Sequence, residues 1–232
     1  HPEDPTAEQI EEIRSQFGDL ERIILDYDYN AFKECMNVES YMAFFIIQEM
    51  TRNVELPAPR SMYIHRHADG MWAMGPVWDF DWSYGYDGTR QYFVYYAEDD
   101  IFNGCVTSNL GYPFFDALRT STLAKQAYYK VWRHYVDHDG LTDLLEHIDD
   151  YYNYAQPSLQ HNASQWNGEG NKYATQTSNA KNWLTQRYNF IWNNLAKYAD
   201  IYEDDIIKPE DPGQPTDVQS LMNDPEGPNR LV

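Results

Sequence analysis

The chain has 232 residues, 42% of them hydrophobic, and a formal net charge of -20. That charge argues against sequence-independent nucleic-acid binding, which depends on Lys and Arg neutralising phosphates, and disfavours docking on an anionic membrane surface. No run of about 18 apolar residues occurs, so no membrane-spanning helix is expected.

The length suits one large domain or two small ones. With 20 Tyr, 10 Phe and 7 Trp, aromatic side chains must supply much of any core. The chain opens on His1 without a Met and carries no signal peptide. It is therefore expected to be a processed or excised piece whose targeting segment has been removed. Cys35 and Cys105 lack the Cys-x-x-Cys spacing of a metal site. They can pair or stand as free thiols; free thiols are expected, because a domain of this size needs no disulfide.

In chain order, Thr6 with Gln9 three positions on forms a capping box. Ile10, Ile13 and Phe17 give a narrow apolar stripe, and Gly18 is placed to end that first helix. A second helical stretch follows with Leu20, Ile23 and Ile24 inward. Asn37 caps a stronger helix to about Arg52, apolar on nearly every side from Tyr41 to Ile47 and therefore central. Glu49 interrupts that run, either as a helix-end charge facing solvent or as a buried acid that orients a site. Pro57 and Pro59 forbid regular structure between Asn53 and Ser61. Residues 61–66 alternate as a strand, Ala68-Asp69-Gly70 signals a turn, and Met71 to Met74 returns. His65 and His67 are spaced like two metal ligands, yet no third ligand stands at a diagnostic spacing.

Tyr86 to Gly111 reads as a long loop, either a substrate lid or a packed surface loop. The rest is helical. Pro113 opens a short helix to Arg119. Ser121 caps the next, with Leu123, Ala127, Val131 and Tyr135 on one face. Leu141 to Tyr154 carries Leu144, Leu145 and Ile148 inward, Pro157 begins a further short helix, and Lys172 to Tyr198 forms the last, its aromatics read as core. From Asp200 onward nine acids face two bases and five prolines are interspersed. That composition predicts a disordered tail or a linker to another module. The expected division is a helical body over residues 1–200 and an acidic tail over 201–232.

The chemistry concentrates in Gly75-Pro76-Val77-Trp78-Asp79-Phe80-Asp81-Trp82-Ser83-Tyr84-Gly85. In extended backbone, residues two apart share a face. Asp79 and Asp81 would then converge on one spot while Trp78, Phe80 and Trp82 pack the other way, which is how rigid carboxylates for a divalent metal or for acid–base work are held. The plainer alternative is a hairpin carrying two solvated Asp residues.

Gly-Pro-Val-Trp-Asp-Phe-Asp followed by Gly resembles the signature of the CotH kinase family, named after a spore coat protein. The resemblance runs from about Asn37 to Tyr198 and includes Trp183-Leu184-Thr185-Gln186-Arg187, a late-helix pattern of the family. It implies a mainly α fold with a short antiparallel β-hairpin, similar to the C-terminal lobe of an atypical protein kinase, and a bacterial cell-surface or extracellular setting. It implies that Asp79 holds Mg or Mn on ATP, as the Asp of the kinase Asp-Phe-Gly does, and that Asp81 supports or shares the metal. Where the family reads Asn-x-Asp, this chain reads Asn53-Val54-Glu55. Glu55 thus takes the place of the catalytic base, one methylene longer than the family's Asp, and a misplacement of about 1 Å can cost about a hundredfold in rate. Ser61 falls one place later than the family's metal- or loop-positioning residue.

No Gly-x-Gly-x-x-Gly and no strand Lys of the kinase type is found. In the family those duties fall to a strand-rich region N-terminal to the part matched here, so this chain is expected to be incomplete for phosphoryl transfer to its protein substrate by itself. Two alternatives keep the fold without the chemistry: a structural surface domain and a glycan-binding protein. A glycosidase is disfavoured, since its carboxyls sit about 5–10 Å apart on separate elements.

Overall fold

The structure is a computed structural model and describes residues 4–55, 61–89, 91–98, 121–166 and 170–195. Among these residues it is mainly helical with one two-stranded antiparallel sheet. Helix α1 (Ala7–Leu25) begins on the expected capping box: the Thr6 hydroxyl accepts from the Gln9 amide, and the Gln9 side chain accepts from the Thr6 amide. Gly18 does not end it. Leu20 and Ile24 lie one turn further on and are fully buried, and their burial outweighs the roughly 1 kcal/mol that an exposed helical Gly costs against Ala. The predicted stripe is also corrected: Ile10 and Ile13 face solvent, and only Phe17 reaches inward, edge-on to Trp72.

Helix α2 (Tyr29–Cys35) is capped by Asp28 and α3 (Val38–Thr51) by Asn37, whose side chain accepts from the Ser40 amide. Cys35 is a free thiol, its pKa pushed up by burial. Helix α3 is buried around most of its circumference, as its sequence predicts, and ends with Arg52 in the left-handed region. Strands β1 (Ile64–Arg66) and β2 (Trp72–Met74) pair antiparallel, with His65 opposite Ala73. The turn is the one expected: the Gly70 amide donates to the His67 carbonyl, and the Asp69 carboxylate accepts from the Met71 amide. The Ser40 hydroxyl exchanges hydrogen bonds with both the amide and the carbonyl of Met74, so the start of α3 is pinned to the strand that leads into the Asp79 segment.

Helix α4 (Thr122–Asp137) is capped by Ser121 as expected and packs on α3. Its inward face is Ala124, Tyr128, Tyr129 and Trp132, whereas Leu123 and Tyr135 stay exposed. The predicted face is therefore rotated by one residue, because the aromatics bury more area than the aliphatics they displace. Helix α5 (Gly140–Gln165) runs through Pro157. Leu144, Ile148, Tyr152, Ala155 and Leu159 are all half-buried, a stripe at helical spacing that continues across the proline, and this packing outweighs the one hydrogen bond lost there. Helix α6 (Gly170–Leu195) lies against α5 and α3, with Trp183, Leu184 and Ile191 in the core as expected. The expected helix at Pro113, Cys105 and the acidic tail lie outside the described residues.

Candidate functional site

The segment after β2 leaves the sheet and is not a strand. Asp79 has a φ of 62°, a left-handed conformation that Asp tolerates better than most residues, and the alternation of faces ends there. The aromatics accordingly do not go inward together: Trp78 is 51% and Trp82 47% exposed, and only Phe80 is half-buried. Asp79 and Asp81 are both exposed. The carboxylate of Asp79 is nevertheless held. The Ser61 hydroxyl donates to its Oδ2 at 2.9 Å across 18 residues of chain, and Ser61 itself has a φ of 53°. One oxygen of Asp79 is thus engaged from the loop before β1, while Oδ1 has no hydrogen-bond partner among the described residues. Asp81 contributes its backbone carbonyl, which accepts from the Tyr92 hydroxyl at 2.9 Å.

Glu55 lies just beyond α3. Its amide donates to the Asn53 side chain, and its Oε2 is buried without a hydrogen-bond partner among the described residues. A buried acceptor left unpaired costs about 1–3 kcal/mol, so this oxygen is set apart from an ordinary surface carboxylate. No group of three His, Cys, Asp or Glu side chains that could hold a metal ion forms among the described residues. Glu55, Asp79 and Asp81 therefore do not make a ready cage, and His65 and His67 gain no third ligand. The two imidazoles meet edge to face, with ring centroids 4.9 Å apart, and His65 Nδ1 donates to the Gly75 carbonyl.

The segment that follows is strapped down on both sides. The Tyr84 amide donates to the Thr51 carbonyl at the end of α3, and Phe93 closes back on the Tyr84 carbonyl. Arg52 places its guanidinium 3.8 Å from the Tyr96 ring centroid. From α6, the Trp183 indole donates to the Tyr95 carbonyl, and Arg187 donates to the carbonyls of Ala97 and Glu49 and to the Glu49 carboxylate at 3.0 Å. Arg187 is 1% and Glu49 4% exposed. Glu49 is thus the buried acid rather than the solvent-facing one, and the described residues 86–98 are a packed loop rather than a lid. Gly85 sits where a Cβ would lie 2.2 Å from the Tyr95 carbonyl oxygen, at a φ of 69°, so only glycine fits. Burial pushes the Tyr84 phenol above its ordinary pKa.

Sequence reasoning names Arg187 only as part of a pattern and misses its pairing with Glu49. The signal was present: two helices, each apolar along the relevant face, are each broken by one charge of opposite sign. The profile of the CotH kinase protein family matches residues 8–191. The chain belongs to the CotH family. No curated protein and no solved structure matches it. The CotH match covers α2 to α5 and both strands in full and most of α1 and α6. It therefore includes the Ser61–Asp79 contact and the Arg187–Glu49 lock.

Proposed function

We propose that this CotH chain is the helical, acid-bearing part of an ATP- and metal-dependent protein kinase, acting at the bacterial cell surface or beyond it. The observation that carries the proposal is the Ser61–Asp79 hydrogen bond. It joins Asp79, the metal-holding position of the family pattern, to Ser61, one place beyond the position that pattern assigns to the same site, although the two lie on separate loops flanking the hairpin. The donor chemistry fits Mg or Mn in kind: hard carboxylate oxygens, of which such ions take one or two while keeping water or phosphate oxygens for the remaining positions. A bound ion would neutralise charge on the phosphates of the nucleotide. Asp79 and Asp81 would hold it, and Ser61 orients the Asp79 carboxylate from behind. Glu55, in the place of the family's base, would accept the proton of the attacking hydroxyl on a protein substrate. The chain has no Gly-x-Gly-x-x-Gly motif, so it should transfer little phosphate without further modules.

A second reading rests on a different observation. Tyr63 and Trp78 pack at 5.5 Å and Trp82 stacks on Tyr86 at 6.4 Å, and Tyr63, Trp78 and Trp82 are exposed beside the two acids. Exposed rings beside carboxylates also suit a non-catalytic glycan-binding surface.

The test uses Asp79→Asn, which keeps an acceptor for Ser61 and removes the charge. Binding of Mn is followed by water-proton relaxation, and transfer from labelled ATP to a generic acceptor protein is followed alongside. The expected result is Mn binding by the wild type, lost in Asp79→Asn at unchanged melting temperature, with transfer weak or absent in the isolated chain. Mn binding unchanged by Asp79→Asn would sink the metal assignment. Retention on polysaccharide that Trp78→Ala abolishes would favour the second reading.

A further inference from the structure

Helix α4 ends on two histidines one turn apart, His134 and His138. Residues at i and i+4 share a face of a helix. Here the two imidazoles meet, with ring centroids 4.2 Å apart and planes inclined at 36°. His138 is the C-cap, and its Nδ1 lies 2.8 Å from the His134 carbonyl oxygen. A carbonyl only accepts, so Nδ1 carries the proton and donates. The bond satisfies one of the last carbonyls of α4, which lack a partner within the helix. It also fixes the neutral ring in the tautomer whose Nε2 holds a free lone pair.

Metal-ligating imidazoles are prepared in this way: one ring nitrogen donates to a backbone carbonyl or a carboxylate, which sets tautomer and orientation, and the other takes the ion. Nε2 of His138 and both ring nitrogens of His134 have no hydrogen-bond partner among the described residues. Both rings can be reached from solvent, since His138 is exposed and His134 half-buried. The surroundings favour a cation. The C-terminal end of a helix carries partial negative charge. Asp137 and Asp139 flank His138, and the Asp139 carboxylate caps no amide of α5. The neighbouring Arg133 is taken up by Asp137, at 2.8 Å. His65 and His67 differ in geometry. They meet edge to face at 69°, which aims one ring at the face of the other rather than both at a shared ion.

We infer that His134 and His138 form a two-imidazole chelate for a late first-row divalent cation, Zn, Ni or Cu. Imidazole nitrogen suits these ions, whereas Mg and Mn prefer the oxygens of carboxylates, carbonyls and water. No group of three His, Cys, Asp or Glu forms among the described residues, so water completes the coordination. Two imidazoles held one turn apart bind more tightly than two separate ones, because the second contact is made at high effective concentration. The bound ion clamps the last turn of α4, beside the left-handed Asp139 where the chain turns into α5. The site shares no residue with the carboxylates of the proposed kinase chemistry and does not depend on them.

Nickel chloride is the probe, added to the full chain in excess Mg, with binding followed by calorimetry and by melting temperature. The wild type is expected to bind Ni saturably and to melt higher with it, since a ligand that binds the folded chain stabilises it. His134→Gln and His138→Gln each leave one imidazole and should weaken that binding about a hundredfold, the loss expected when two linked contacts become one. Gln at position 138 keeps a donor for the His134 carbonyl, so the helix end is retained. If His138→Gln nevertheless fails to fold, His134→Gln, which leaves the cap untouched, decides the matter. His65→Gln combined with His67→Gln should leave Ni binding as in the wild type. No saturable Ni binding by the wild type overturns the inference, as does wild-type affinity and stoichiometry in either His134→Gln or His138→Gln. A lower melting temperature in His138→Gln, with no response of the wild type to Ni, also overturns it and makes His138 a helix cap alone.

Discussion

At the scale of single residues, the left-handed backbone positions decide how the motif is displayed. Asp79 at φ 62° turns the chain so that its carboxylate meets Ser61, also left-handed, and an alternating strand would have carried that carboxylate elsewhere. Gly85 solves a different problem, the close approach of the motif's end to Tyr95 and Trp183. Gly85→Ala must either move the Tyr95 carbonyl or break the Trp183 hydrogen bond, and it adds left-handed strain besides. The expected loss is at least about 2 kcal/mol, read as a lower urea midpoint at unchanged slope. A variant as stable as the wild type would mean that the strap is loose.

At the scale of elements, each helix answers to its partner as much as to its own residues. Helix α1 continues past Gly18 because Leu20 and Ile24 are buried beyond it, and a Cβ at Gly18 would meet nothing within 4 Å. Gly18→Ala should therefore stabilise by about 0.5–1 kcal/mol, a rise in melting temperature measurable by circular dichroism; a fall would show a helix end at that point. Helices α3 and α6 are joined by the buried Arg187–Glu49 pair, which also ties down the loop through the Ala97 carbonyl. Arg187→Met leaves the Glu49 carboxylate buried without its cation and should cost about 3–5 kcal/mol. Arg187→Met with Glu49→Leu should recover much of that loss in a denaturant titration. Failure of the double variant to recover would assign the cost to the three lost carbonyl and carboxylate contacts rather than to stranded charge.

At the scale of the whole molecule, half-buried tyrosines shape the response to alkaline pH. Partial burial raises the pKa of Tyr29, Tyr84 and Tyr188. A raised value means that the folded chain holds the phenolic proton more tightly than the unfolded chain does. Stability from this source is intact below the unfolded value of about 10 and is lost as pH rises through the folded values. Melts between pH 8 and 11 should show a steep decline above pH 10, and Tyr84→Phe should soften it; a decline of the same steepness in Tyr84→Phe would remove Tyr84 from the account. Among the described residues no helix is long and apolar enough to cross a membrane.

The local sequence by itself determined the parts that depend on neighbours a few residues apart: the caps at Thr6, Asn37 and Ser121, the turn at Asp69-Gly70, the all-round burial of α3, and the motif at residues 75–85 that leads to the CotH family. Side-chain hydrogen bonds to nearby amides and the period of the apolar residues suffice for these. Only the tertiary structure decided what depends on partners far along the chain. Gly18 and Pro157 lie inside helices because packing elsewhere compensates, and α4 turns its aromatics inward because α3 and α6 leave room for them. Glu49 is buried because Arg187, 138 residues away, meets it, and Asp79 faces Ser61 because a single φ angle ends the alternation. Such contacts depend on shape and on long-range pairing; periodicity marks an interrupting charge such as Glu49 or Arg187 but not the partner that it meets.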